Sequence, residues 1–105
     1  MKNKISPEEL KYKIDKKEDI FLLDVRTEEE YNTAKIKNSH LMPINEIELR
    51  YNELPKNKEI IVYCHHGIRS AKAVEFLKSK NFINIKSLTG GIDAYSELDH
   101  SIEKY

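Results

Sequence analysis

The chain has 105 residues and a mass of 12.4 kDa, enough for one domain and too little for two. Its 18 basic residues balance 18 acidic ones, so no net field favours nucleic acid or an anionic membrane as a partner. A mean hydropathy of −0.67, a single cysteine and no long apolar run argue against a membrane span or an internal disulfide. The first residues also lack the apolar stretch of a secretory signal, so we expect one domain over residues 1–105 in a reducing, cytoplasmic compartment.

The first quarter of the chain predicts a helix, a strand and a second helix. Ser6 and Pro7 are typical of a helix start, and the apolar stripe that follows reaches about Lys17. Residues 20–23 form a continuous apolar run, which predicts a strand buried on both faces. Thr27 followed by three glutamates predicts the N-cap of a short helix, and we interpret residues 28–30 as its solvated face.

The rest of the chain alternates apolar runs with helix-like segments. The runs predicted as strands are residues 39–42, 60–63 and 83–88. The segments predicted as helices are 45–52, with Leu49 on its apolar side, a helix opened by Ser70 and ending at 79–81, and 92–95. This alternation predicts a small α/β domain with a parallel sheet, and the tail from Ser96 has no clear period.

Cys64 follows directly after the clearest strand. In open parallel sheets, reactive sites lie beyond the carboxyl ends of the strands. The residues from Cys64 to Ser70 can wrap several backbone N–H groups around one sulfur atom, and the positive end of the next helix would also stabilise an anion there. The alternative is a buried, inert cysteine. The ordered strand end, glycine, arginine and helix start favour a nucleophile.

Only three of the 18 basic residues are arginines, namely Arg26, Arg50 and Arg69. This chain uses lysine for most of its positive charges. A position that carries arginine instead is therefore a candidate for a role that needs the planar guanidinium group with its several N–H donors. For Arg69, at Cys-x4-Arg spacing, we expect either a fixed positive charge near the sulfur or support of the cysteine loop. For Arg26 we favour a structural ion pair, with a glutamate such as Glu30, over a role in the pocket. Asp24 is expected to be a turn or capping carboxylate.

Four separated motifs resemble those of a single-domain rhodanese, a sulfurtransferase. They are Leu-Asp-Val-Arg at residues 23–26 with Glu-Glu-Tyr at 29–31, Pro43, Val-Tyr-Cys-x-x-Gly-x-Arg-Ser at 62–70, and Leu-x-Gly-Gly-Ile-x-Ala-Tyr at 88–95. Together they cover nearly the whole chain in order. The resemblance implies a three-layer α/β domain whose mostly parallel central sheet has about five strands flanked by helices.

The resemblance also implies a chemistry. Rhodanese-like domains carry sulfane sulfur as a persulfide on the loop cysteine, which makes Cys64 the nucleophile and carrier. The implied sulfur-binding residues are those of the loop, namely His65, His66, Gly67, Ile68, Arg69 and Ser70. A small-molecule donor such as thiosulfate and a thiol, cyanide or protein acceptor are implied as partners, without an organic cofactor or a metal.

Two departures from the family pattern affect the expected substrate more than the chemistry. Residues 34–39 read Ala-Lys-Ile-Lys-Asn-Ser where family members often have Gly-His-Ile-Pro-Gly-Ala, and Tyr95 replaces a frequent tryptophan. The segment from Tyr95 to Tyr105 is similar to rhodanese domains that work with adenylating enzymes and ubiquitin-like sulfur carriers. A sulfur relay to such a carrier is therefore an alternative function.

Three other functions remain to be weighed. Phosphatases and arsenate reductases of the same fold resemble Cys-x5-Arg, whereas this chain has Cys-x4-Arg, and the smaller loop suits one sulfur atom better than a tetrahedral oxyanion. A non-catalytic binding module is disfavoured by the intact Cys64. A metal site at Cys64, His65 and His66 is disfavoured because adjacent residues rarely converge on one ion, so we expect both histidines to face solvent or substrate.

Overall fold

Strands and helices alternate in the computed structural model, which describes residues 3–105. The strands are β1 (Lys4–Ile5), β2 (Ile20–Asp24), β3 (His40–Leu41), β4 (Glu59–Tyr63) and β5 (Ile85–Leu88). The helices are α1 (Pro7–Asp15), α2 (Glu28–Thr33), α3 (Ile47–Arg50), α4 (Ile68–Ser79) and α5 (Gly91–Tyr95). Met1 and Lys2, which belong to the predicted domain and to the stretch examined for a secretory signal, lie outside the described residues.

The five strands form one parallel sheet in the order β1-β5-β4-β2-β3. The longest ladder joins β2 to β4, from Ile20 opposite Glu59 to Asp24 opposite Tyr63. The predicted α/β class and parallel sheet are confirmed. β1 is a strand that the pattern did not predict, because two residues paired at Lys4↔Ser87 and Ile5↔Leu88 are too short to show a period.

The helix starts predicted at Ser6 and Thr27 are confirmed, and each is a capping box. The Ser6 hydroxyl accepts a hydrogen bond from the Glu9 amide at 3.0 Å, and Glu9 accepts one from the Ser6 amide at 2.9 Å. Thr27 and Glu30 repeat the arrangement at the start of α2, at 3.2 and 3.1 Å. Each box satisfies two amides that a helix end otherwise leaves without partners.

Hydrophobic layers cover both faces of the sheet. On β4, Ile60 packs on one face and Ile61 on the other, as the alternation of a strand requires. The Ile60 face is covered by α4 and the segment around Ile47, and the Ile61 face by α1 and α5. The sheet is therefore the middle of three layers, with Cys64 directly beyond the end of its central strand.

Two predicted elements are wrong in extent. Residues 45–52 are not one helix, because the backbone leaves helical geometry at Arg50 (φ −121°, ψ 1°), and a single turn buries Ile47 while Leu49 is 87% exposed. The last strand begins at Ile85 instead of residue 83, since pairing with β4 starts at Ile85 and Ile83 is 87% exposed. Within the described residues, no helix combines the length and apolar character needed to cross a bilayer.

Candidate active site

Cys64 lies at the carboxyl end of β4, which pairs with β2 on one side and β5 on the other. This is the edge of a parallel sheet at which reactive groups are usually placed. The cysteine is free and only 1% exposed. Three residues, His65, His66 and Gly67, then lead to the first residue of α4.

Two backbone amides point at the cysteine sulfur. The Gly67 amide donates to Cys64 Sγ at 3.0 Å and the Ser70 amide at 3.3 Å. Cys64 Sγ also lies 3.6 Å from Ser70 Oγ. Amides at a helix N-terminus and the helix dipole both favour negative charge at this position, so the surroundings of the sulfur suit a thiolate.

The prediction that Ser70 opens the helix is wrong. Gly67 is the N-cap of α4, and its φ of +109° is a left-handed conformation that favours glycine. The helix therefore begins at Ile68, and Ser70 is fully buried in its first turn. In this first turn, the Ser70 amide and hydroxyl both lie close to the sulfur.

The start of α5 contacts the backbone of the cysteine loop. The amide of Ile92 donates to the Cys64 carbonyl at 2.9 Å, and the amide of Asp93 donates to the His65 carbonyl at 3.1 Å. Gly91 packs directly against this backbone, since a Cβ there would lie 2.5 Å from the Cys64 oxygen and closer still to the His65 oxygen. Only glycine permits this approach between α5 and the sulfur loop.

Four more loop amides remain without a protein acceptor in the described part of the chain. They belong to His65, His66, Ile68 and Arg69. Unbonded amides at the head of a helix form a concave group of donors for an anion. They lie in the same loop as the two amides that donate to Cys64 Sγ.

Arg69 is turned toward α2. Its Nη1 and Nη2 donate to the two carboxylate oxygens of Glu30 at 2.8 and 3.0 Å. Glu30 also accepts from the Thr27 amide and, at 3.2 Å, from the Tyr105 hydroxyl. The Arg69 guanidinium, assisted by the Thr27 amide, lowers the pKa of Glu30 to about 2 although partial burial opposes this.

Glu30 therefore corrects two expectations. It is not part of a merely solvated face, because its side chain is 20% exposed and ties α2 to α4. Nor is it the partner of Arg26. The arginine that reaches Glu30 is Arg69, which comes from the cysteine loop.

Arg26 pairs with Asp24, and both side chains are fully buried. Arg26 Nε lies 2.9 Å from Asp24 Oδ1, Nη2 lies 2.7 Å from Oδ2, and the Arg26 amide also donates to Oδ1 at 2.9 Å. Asp24 thus acts as a turn carboxylate, accepting from the amide two residues later. Burial opposes the charge on Arg26, but the hydrogen bonds to Asp24 outweigh it and raise the pKa of the guanidinium.

The two loop histidines differ in environment. His66 is exposed, with Nε2 3.8 Å from an Asp93 oxygen. His65 is half-buried, and its ring stacks on His66 at 4.0 Å and on Tyr105 at 4.1 Å between ring centroids. The buried His65 Nε2 has no hydrogen-bond partner among the described residues.

Potential metal-ligating atoms of His65, His66 and Asp93 lie within 4.8 Å of one another. The imidazole planes are inclined by only 23°, so their in-plane lone pairs run side by side and do not converge on one tetrahedral centre. Asp93 is also engaged by Lys104 at 3.1 Å. The donor set is therefore a poor fit to a metal ion.

Two contributors to the site were missed from the sequence. Ser87 on β5 bonds to Ser70, and Tyr105 stacks on His65 while its hydroxyl also contacts Arg26. Neither residue lies in the loop, and no motif or hydrophobic period in the sequence marks it as part of the site. Only the packing of β5 and of the C-terminal tail brings these two residues to the loop. Ile68, a predicted loop residue, is 71% exposed, and among the described residues only the amides of Gly67 and Ser70 donate to Cys64 Sγ.

Comparison with known proteins assigns the architecture to a family. The model of the rhodanese-like domain matches residues 6–98. A sulfurtransferase from Allochromatium vinosum is 32% identical over 96 residues, covering 91% of this chain and 90% of that protein. The putative sulfur carrier protein YrkF from Bacillus subtilis is 40% identical over 88 residues, but this chain spans only 48% of its length.

A solved structure agrees with these sequence matches. The rhodanese-related protein from Thermoplasma volcanium superposes with a TM-score of 0.85 at 34% identity, covering 98% of this chain and 99% of that one. The chain belongs to the rhodanese-like family of sulfurtransferases.

Proposed function

We propose that this protein transfers sulfane sulfur through a persulfide on Cys64. The observation that carries the proposal is the arrangement of amides at the head of α4. Gly67 and Ser70 donate to Sγ, and the four unbonded amides of the loop are available to an outer sulfur atom. Such donors stabilise negative charge on either sulfur without a side-chain cation.

The transfer has two steps and needs no net oxidant. In the first, the Cys64 thiolate attacks the sulfane sulfur of a donor such as thiosulfate, the S–S bond of the donor breaks, and sulfite leaves with the bonding electron pair. In the second, a thiol or cyanide attacks the outer sulfur and Cys64 leaves as a thiolate. The enzyme returns to its starting state, and the loop amides hold the charge throughout.

The names of relatives support this class of chemistry. Thiosulfate sulfurtransferase GlpE from Coxiella burnetii is 31% identical over 80 residues, which favours thiosulfate as one donor. YrkF is described as a putative sulfur carrier, and MOCS3 from Arabidopsis thaliana, 30% identical over 110 residues, as an adenylyltransferase and sulfurtransferase. These two favour a protein acceptor, and a sulfur relay to a carrier protein is our second candidate. A free catalytic thiol suits a reducing, cytoplasmic setting.

The orientation of Arg69 disfavours the phosphatase alternative. Both of its terminal nitrogens are bonded to Glu30, so the guanidinium is not presented to the loop as a donor for phosphate oxygens. We therefore expect no turnover of an aryl phosphate. Hydrolysis that disappears in Cys64→Ser would contradict this expectation.

The decisive test is intact-mass spectrometry after incubation with thiosulfate and, separately, with glutathione persulfide. We expect a gain of about 32 Da, one sulfur atom, which is lost again when cyanide is added. Cys64→Ser is the matched control and contains no thiol, since Cys64 is the only cysteine. No adduct with either donor would overturn the proposal. Loading by the persulfide alone would retain the persulfide mechanism and exclude thiosulfate as the donor.

A further inference from the structure

A buried hydroxyl on β5 lies behind the group that contacts the sulfur. Ser87 is 5% exposed, and its Oγ is 2.7 Å from the Oγ of Ser70, which is fully buried. Ser70 Oγ is in turn 3.6 Å from Cys64 Sγ and 3.2 Å from the Gly67 carbonyl oxygen. A chain of three side chains therefore runs from the sheet to the reactive sulfur.

The direction of the hydrogen bond between the serines follows from counting donors and acceptors. Each hydroxyl has one proton and two lone pairs. Among the described residues, Ser87 Oγ has Ser70 Oγ as its only hydrogen-bond partner. A buried hydroxyl proton without an acceptor is costly, so Ser87 donates and Ser70 accepts.

This direction determines what the Ser70 proton can do. Because Ser70 does not donate to Ser87, its proton is left for the Gly67 carbonyl or for the sulfur. A charged sulfur is the stronger acceptor, so on ionisation the Ser70 hydroxyl turns toward Cys64. The bond received from Ser87 holds Ser70 Oγ in place and makes its proton a better donor.

We propose that Ser87 is a positioning residue, which acts through Ser70 to stabilise the anionic sulfur of Cys64. The inference rests on the proposed function, in which Cys64 reacts as a thiolate. Ser87 does not touch the sulfur. Its contribution is to direct the single proton of Ser70, and this contribution should disappear when Ser70 has no hydroxyl.

The test is the pH profile of Cys64 alkylation by iodoacetamide, which requires no sulfur donor. We expect Ser87→Ala to move the midpoint to higher pH and to slow alkylation below the midpoint about fivefold, the effect of losing one neutral hydrogen bond. Arg69, His65 and His66, the charged and titratable groups of the loop, are unchanged in this variant. Ser39→Ala is the matched control, because it breaks another buried hydroxyl pair, with Tyr63 at 2.9 Å, away from the sulfur.

A double-mutant cycle separates positioning from a general packing effect. In a Ser70→Ala background, Ser87→Ala should cause no further change in the alkylation profile. The pair Ser87→Thr and Ser87→Val provides an isosteric comparison if the alanine variant folds poorly, since the two side chains have nearly the same shape and only threonine keeps the hydroxyl. Threonine should retain the wild-type profile and valine should reproduce the shift.

The outcomes are distinct from those of the sulfur-loading experiment. An unchanged profile in Ser87→Ala and Ser87→Val would overturn the inference, whether or not the wild type accepts sulfur. A shift of equal size in the Ser70→Ala background would also overturn it, because Ser87 would then act by another route. Failure of the wild type to load sulfur, with the predicted alkylation shifts intact, would contradict only the proposed function.

Discussion

The side chains of Asp24 and Arg26 lie two residues apart and are both completely removed from solvent. Their paired contacts use both carboxylate oxygens, and Arg26 Nη2 also donates to the Ala34 carbonyl at 2.5 Å. A buried ion pair of this kind adds little compared with apolar residues, but the loss of one partner leaves a buried, uncompensated charge. The pair therefore makes its two positions intolerant of single changes.

Arg26→Ala should lower the free energy of unfolding by about 3–5 kcal/mol, because Asp24 remains buried without its partner. Arg26→Lys should lose less, since it keeps the charge and gives up the planar fork. Urea unfolding measures both. Arg50→Ala is the matched control at an exposed position, where Arg50 pairs with Glu46 and Glu53, and no measurable change is expected. Equal losses at the two arginines would contradict the importance of burial.

At this scale the sequence predicts residue types better than partners. The isolated Cys64 after a strong strand, and the arginines at motif positions, pointed to the loop and its support. The partner of Arg69 was not predictable, because it depends on how α2 lies against α4. Arg26 pairs with Asp24, only two residues away, whereas the sequence pattern favoured a glutamate such as Glu30. The contribution of Ser87 could not be predicted either, because a serine within a strand has no sequence pattern that marks it as part of a site.

Among the elements, α2 and α4 are joined through Glu30. One Glu30 oxygen caps the start of α2 through the Thr27 amide, and both oxygens receive Arg69 from the first turn of α4. The Tyr105 hydroxyl adds the C-terminal tail to the same carboxylate. One ionised side chain therefore connects the supporting helix, the helix of the cysteine loop and the tail.

This connection predicts a dependence of stability on pH. The pKa of Glu30 is about 2 in the folded protein, against an ordinary value of 4.5. Its depressed pKa means that the contribution of Glu30 is present above pH 4.5 and is lost as the pH falls toward 2. The stability difference between wild type and Glu30→Gln should therefore be largest above pH 5 and shrink toward pH 2.

Urea unfolding at a series of pH values from 2 to 7 measures this difference. Glu29→Gln is the matched control, because that side chain is exposed in the same turn of α2, and its curve should run parallel to that of the wild type. If the curves of Glu30→Gln and wild type remain parallel as well, the carboxylate does not contribute through its charge.

The element boundaries show where sequence patterns are informative. Helix caps and apolar strand runs depend only on a few neighbouring residues. The helix starts at Ser6 and Thr27 and the strands β2 and β4 were therefore predicted well. The start of α4 was misplaced because the left-handed Gly67, and not a hydroxyl side chain, caps it. The helix predicted over residues 45–52 is longer than α3, because its apolar residues suggested one continuous buried face. In the structure, α3 is a single turn that buries only Ile47.

For the whole molecule, the two hydrophobic layers share one sheet. Every β4 residue from Ile60 to Tyr63 is buried, and successive side chains enter opposite layers. The β2 strand does the same with Leu22 and Leu23. Because each layer is built partly from the same backbone, loss of one layer exposes the sheet that supports the other. We propose that residues 1–105 form a single cooperative domain.

This proposal predicts one unfolding transition that responds to both layers. Ile60→Val and Ile61→Val each remove one buried methylene group, from opposite faces of β4, and should each lower the free energy of unfolding by about 1 kcal/mol. Both should shift the midpoint with little change in the urea slope, and circular dichroism and tyrosine fluorescence should report the same midpoint. Ile83→Val, at a position 87% exposed, is the matched control and should have no measurable effect. Two outcomes would contradict the proposal: different unfolding midpoints by circular dichroism and by fluorescence, or a variant that shifts only one of two unfolding steps. Either would mean that the two hydrophobic layers unfold separately.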